Sequence, residues 1–154
     1  MATSTLIQRL DSASADTMNR AQYEYFIAAE NISAGSIVAL DCSTGRNDSD
    51  RALYIREYDA TSVSVKAAIG VLFADVESGE NAKVCIKGYC EGAKVAPTLV
   101  AKGDQISPDV SGNAYFTAVN NQVDEGGTAT YSNVFLRAYA LEAESGGKAD
   151  IYIL

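Results

Sequence analysis

From residue 22 onward, apolar and polar side chains alternate with a period of two over short stretches, which predicts β-strands. Tyr23, Tyr25 and Ile27 alternate with Gln22, Glu24 and Phe26, an extended pattern with both faces partly apolar. Residues 37–40 form a short apolar run behind Gly35. Over 52–58, Leu53 and Ile55 share one face while Tyr54, Arg56 and Tyr58 share the other. The stretches 62–67, 70–76, 82–87, 115–119, 134–141 and 149–154 read the same way. Clusters of Gly, Ser, Asn and Asp at 43–45, 78–80, 111–113, 124–128 and 145–148 punctuate them as turns. Beyond residue 30, no apolar 3.6-residue period lasts three turns. Many short strands at close spacing predict an all-β fold, a small β-barrel or sandwich.

The pattern also repeats. Sliding residues 69–86 by 67 positions onto 136–153 superimposes Glu77 on Glu144, Ser78 on Ser145, Gly79 on Gly146, Ala82 on Ala149 and Ile86 on Ile153. Chance at ordinary residue usage gives about one such match. Upstream, Gly35 sits near Gly103, and Thr44-Gly45 aligns with Ser111-Gly112. Each copy therefore runs through a glycine, an aliphatic run, a Ser/Thr-Gly turn, a variable stretch and a hairpin reversing at Glu-Ser-Gly. Gly45, Gly79, Gly112 and Gly146 are the repeat's turn positions. One copy alone has an open apolar face and unpaired edges; two packed together close a small barrel. The expected organisation is an N-terminal arm and first strand over 1–33 and a β-barrel domain over 34–154. Its repeat halves fall at about 34–97 and 98–154.

The first thirty residues lie outside the repeat. Leu6, Ile7 and Leu10 fall on one side of a helical turn that Thr5 could cap, and a polar tract from Asp11 to Asp16 follows. A short apolar anchor on a tether suits an arm that docks on a partner and orders on binding, and a self-packed or disordered terminus reads equally well. Leu6, Ile7, Leu10, Tyr23, Tyr25 and Phe26 are the candidate contact residues of that arm.

Composition removes several functions. The 154 residues hold 20 Asp and Glu against 12 Lys and Arg, a formal net charge of −8. With no basic excess, nothing favours nucleic-acid binding. Zero histidine removes the commonest general base, the Ser-His and Cys-His nucleophile systems and imidazole metal ligands. No apolar run approaches the roughly 20 residues of a membrane helix, and residues 1–10 lack the pattern of a signal peptide. Sequons at Asn31 and Asn47 therefore have no secretory context.

Candidate chemistry is sparse. Asp41, Asp48 and Asp50 gather around Thr44-Gly45, but a calcium loop counted from Asp48 would place its glycine at Leu53 and its glutamate at Asp59, so the cluster reads as a solvated turn. Cys42, Cys85 and Cys90 are an odd set without metal-binding spacing, and read as reduced thiols. In a straight strand Cys85 and Cys90 stand about 16 Å apart, so they could meet only across a bend near Gly88. The nine tyrosines suit either an interface or a half-buried sheet. No phosphate loop or nucleophile elbow is present, no cofactor or metal is expected, and there is no positive case for an enzyme.

At the repeat, the chain resembles the small β-barrel decoration, or cement, proteins of phage heads. The likeness rests on Gly35 to Val38, Thr44-Gly45, Ile69 to Leu72, Ser78 to Glu80 and Val84 to Gly88. A second pass runs through Gly103-Asp104, Ser111-Gly112, residues 136–141 and Ser145-Gly146. Arg137 and Gly147 depart from the pattern, where glycine and glutamate would stand. The resemblance implies a non-enzymatic virion protein, made in the bacterial cytoplasm. It would bind the major capsid protein on the outer head surface, often as a homotrimer, and stabilise the shell against internal pressure. It implies no nucleic-acid or membrane partner. A carbohydrate-binding or adhesion module of a fibre or tail is the alternative, weakened by the absence of tryptophan.

Overall fold

The computed structural model describes residues 20–65, 67–97, 100–119 and 136–154. With 47% of these residues in strand and 3% in helix, the fold is all-β and built on a closed five-stranded barrel, as the alternation predicts. The strands are β1 (Gln22–Ala28), β2 (Ile37–Leu40), β3 (Tyr54–Glu57), β4 (Ala68–Leu72), β5 (Asn81–Lys94), β6 (Gln105–Pro108), β7 (Phe116–Ala118), β8 (Ala138–Ala140) and β9 (Lys148–Ile153). Among the described residues one short helix, α1 (Asp48–Arg51), precedes β3.

The first barrel runs β1-β3-β2-β4-β5 and closes by pairing β5 with β1. All its pairs are antiparallel except β1–β3, which is parallel at Ile27–Tyr54 and Ala28–Ile55. The 14-residue strand β5 continues past the barrel and starts a second sheet, β5-β9-β8-β6-β7. A parallel bridge from Val95 to Phe116 returns β7 to the end of β5, completing the same circuit.

The two circuits are copies in register. Val38–Gly70 in β2–β4 corresponds to Ile106–Ala138 in β6–β8, 68 residues on. Phe26–Ala82 corresponds to Ala93–Ala149, 67 residues on. The parallel pair Ala28–Ile55 corresponds to Val95–Phe116, so β3 maps to β7 at an offset of 61. Loop hydrogen bonds follow suit. Gly35 N–H donates to the Leu72 carbonyl and Gly103 N–H to that of Ala140, each at 2.8 Å. The drop in offset from 68 to 61 places seven extra residues between β2 and β3, in the segment that holds α1. The repeat seen in the sequence is therefore present in the backbone. The copies meet by sharing β5, and β1 is the first strand of the first copy.

Tyr23, Tyr25 and Phe26 lie on the strand that the alternation predicts, β1, which pairs with β3 and β5 in the barrel wall. Phe26 packs on the first core and Tyr23 on the second, while Tyr25 is 66% exposed. Leu6, Ile7 and Leu10 lie outside the described residues. Two expectations change. Residues 63–65 form a bend instead of a strand, and β6 and the extension of β5 to Lys94 carry no predicted strand in the sequence.

Among the described residues, two apolar clusters form the core. Ile32, Val38, Ile55, Leu72, Val76 and Val84 occupy the first barrel. The larger cluster joins the second unit's interior, including Ile106, Phe116, Ile151 and Ile153, to a row on the outside of the first barrel: Ile37, Val71 and Cys85. Fully burying each such aliphatic side chain contributes about 1.5–3 kcal/mol.

The shared strand bends at Gly88, whose φ is +84°. A Cβ there would overlap the Arg20 carbonyl, so only glycine fits. The bend brings the free thiols of Cys85 and Cys90 into mutual hydrogen bonding, and Cys85 Sγ also donates to the Tyr89 carbonyl at 3.5 Å. The hydrogen bond to Cys85 and burial push the Cys90 thiol up. Cys42 is exposed. A thiol reagent added to folded protein should therefore consume one of the three cysteines quickly, and the other two only after denaturant. Counting modified thiols by mass checks this; Cys85 or Cys90 reacting as fast as Cys42 would contradict the buried pair.

Candidate functional site

A concavity of about 710 Å³ lies where the two units meet. The first unit supplies Glu30, Asp41, Arg56 and Glu57; the second supplies residues 112–115, and Lys94 comes from the end of β5. The walls are held by the backbone. Ile37 N–H donates to the Ala114 carbonyl at 3.1 Å, and Lys94 N–H to the Gly35 carbonyl at 2.8 Å. Gly112, at φ +92°, lies against Asp59 and Thr61.

Two ionic networks line it. In the first, Asp41 is fully buried at the end of β2. Its carboxylate accepts from Arg46 Nε at 2.6 Å, Arg56 Nε at 3.2 Å and the Ser43 N–H at 3.1 Å. Burial pushes this carboxyl up, but the hydrogen bonds from Arg46, Ser43 and Arg56 outweigh it and hold the pKa at about 2. Arg46 also lies 3.7 Å over the Tyr54 ring. In the second, Lys94 Nζ donates to Ser36 Oγ at 2.7 Å and Ser33 Oγ at 3.1 Å, while Ser36 Oγ donates to Glu57 Oε1 at 2.8 Å. Glu30 joins the two: Oε1 accepts the Glu57 N–H at 2.9 Å and Oε2 lies 3.7 Å from Arg56 Nη1. Nearby, burial and then the charges of Asp109 and Asp59 push the Tyr58 hydroxyl up.

This arrangement is a clamp. Its cations already face carboxylates, so a charged ligand would have to displace protein partners to gain a contact. Among the described residues, no group of three or more His, Cys, Asp or Glu could hold a metal ion.

The sequence singled out other positions. The solvated-turn reading holds for Asp48, which is exposed in α1, but not for Asp41. The missed signal was Arg46 and Arg56, two cations in a chain short of them. Gly79 and Gly146 occupy matching hairpin turns at φ +89° and +63°. Gly45 does not match Gly112: it has open space around it and no positive φ, because its turn lies among the seven residues peculiar to the first copy. The turn glycines and the cleft are not brought together, apart from Gly112. No family model matches the chain, and no curated protein does.

Proposed function

We propose that the protein is a non-enzymatic virion component that binds the outer surface of an assembled phage head and stabilises the shell against internal pressure. The observation that carries this reading is the doubled five-stranded unit. It gives a physical basis to the twice-repeated glycine and Ser-Gly pattern through which the chain resembles phage decoration proteins. Closed circuits leave few free sheet edges and place apolar side chains on the outside, as at Tyr25, Val63 and Phe73. Copies grouped as homotrimers on a regular lattice multiply weak contacts with the major capsid protein through effective concentration. An acidic surface keeps coated particles mutually repelled.

Mixing purified protein with undecorated heads should give saturable, stoichiometric binding and raise the temperature at which the heads release DNA. Heads that stay bare would sink the reading. Removing residues 1–19 leaves every described strand in place, so the truncated protein should keep its melting temperature. If the segment is the docking arm, its affinity for heads falls at least about tenfold; unchanged affinity removes the arm from the mechanism.

A further inference from the structure

Two of the three cysteines meet where the shared strand passes from one unit to the other. In a straight strand Tyr89 would lie about 13 Å beyond Cys85. Instead Cys85 Sγ lies 3.5 Å from the Tyr89 carbonyl oxygen and 3.6 Å from that of Lys87. The Tyr89 carbonyl belongs to the peptide unit that carries the Cys90 nitrogen, so the chain has turned back onto the Cys85 sulfur. Two backbone features do this. Gly88 bends the strand at φ +84°. Just before it, β1 pairs Tyr23 with Cys85 but Gln22 with Lys87, a bulge of one extra residue in β5. Residues five apart on a regular strand face opposite ways, and the bulge turns Cys90 to the side of Cys85. Both side chains accordingly sit in the same buried cluster, as free thiols.

We propose that Cys85 and Cys90 are a disulfide-forming pair, closed by exchange with a small-molecule disulfide and serving to lock the bend that joins the two units. The inference goes beyond the decoration reading and does not depend on it. Cys85 Sγ, as thiolate, attacks one sulfur of glutathione disulfide, forming a mixed disulfide and releasing one glutathione. Cys90 Sγ gives up its proton, attacks Cys85 Sγ and releases the second glutathione. The protein loses two electrons and two protons, and glutathione disulfide gains them as two thiols. The order of attack follows from the pair itself: the hydrogen bond from Cys90 lowers the Cys85 thiol against burial, while the Cys90 thiol is pushed up. Both residues are buried, so exchange takes place as the chain folds or when the strand opens, and the closed bond is afterwards shielded from reductant. A reducing compartment keeps the pair as thiols, and an oxidising one closes it.

The test uses the full chain as Cys42→Ser, which removes the exposed third thiol. Refolded from urea in a glutathione buffer and quenched with acid, it should lose two hydrogens, about 2 Da, by mass. A loop this short can also close in an unfolded chain, so the decisive comparison is between states. The equilibrium constant for oxidation by glutathione disulfide should be at least about tenfold larger for the folded protein than in about 8 M urea, because the bend holds the two sulfurs together only when folded. By the same linkage, the oxidised protein should melt about 5 °C above the reduced one. Folded protein that keeps both thiols in excess glutathione disulfide overturns the proposal. So do equal constants in the two states, or an oxidised form that melts at or below the reduced one. Binding to phage heads enters none of these measurements, so the pair and the decoration reading stand or fall separately.

Discussion

Replacing Gly70 with alanine is expected to cost about 3 kcal/mol, a large share of the 5–15 kcal/mol that holds a domain folded. Gly70 lies in β4 opposite Val38, inside the wall of the closed barrel. A Cβ there would overlap the Cys85 carbonyl oxygen on the neighbouring strand and stand 2.7 Å from Val84 Cγ1. The first obstacle is backbone in a ladder that closes on itself, so relief requires moving β5, which also carries the second sheet. The second copy supplies the control. The equivalent residue is already alanine, Ala138, fully buried opposite Ile106. Ala138→Gly loses only a buried methyl and some strand rigidity, about 1–2 kcal/mol. Urea denaturation of the two variants should therefore give clearly unequal losses. Equal losses would mean that the two units are not packed with the asymmetry seen at this position.

The same contrast explains what the sequence could and could not reveal. Period-two alternation is a local signal, so most strands were legible, and so was the doubling, because Glu-Ser-Gly hairpins and aliphatic strands recur in order. What escaped depends on contacts between distant segments. Cys85 sits at a position that should face solvent opposite Val84, yet it is buried because the second copy covers that side. β6 is only four residues and ends in a proline, too short for alternation to register. Tyr23, Tyr25 and Phe26 read as a strand, but as one outside the repeat. Yet β1 is the counterpart of the second half of β5, a match hidden by the bend at Gly88. The parallel β1–β3 pair likewise has no sequence signature, since the two strands are separated by β2 and α1. The clamp was half legible: its acidic residue stood in view, and its arginines looked like ordinary surface charges.

Asp41→Asn is expected to cost about 2–4 kcal/mol at neutral pH. Breaking a buried ion pair by removing one partner costs about 3–5 kcal/mol when the stranded charge stays dry. Here the stranded cations are Arg46 and Arg56, whose side chains are 23% and 39% exposed and can hydrate, which lowers the figure. The pH dependence gives an independent route to it. The carboxyl falls from 3.8 to about 2 on folding. A depressed pKa means that folding favours the ionised form. The stabilisation is complete above the unfolded pKa, near 4, and is lost as pH falls through about 2. At 1.36 kcal/mol per pKa unit this amounts to about 2 kcal/mol. Wild-type stability should therefore fall more steeply than that of the asparagine variant between pH 4 and 2, with the two curves converging by about that amount at the acid end. Parallel curves through this window would show that Asp41 is not held ionised by Arg46 and Arg56. The consequence reaches beyond one loop, because Arg56 also faces Glu30, and Glu30 fixes the Glu57 backbone beside Lys94 at the junction. The Glu57–Lys94 contact is 3.8 Å and partly exposed, so alone it contributes less than about 1 kcal/mol. The strength of the clamp thus sits at its buried end, and loosening Asp41 should loosen the angle between the two units before either unit melts. In Asp41→Asn, amide exchange should therefore rise first at Ile37 and Lys94, whose N–H groups bridge the units, and only later inside either core.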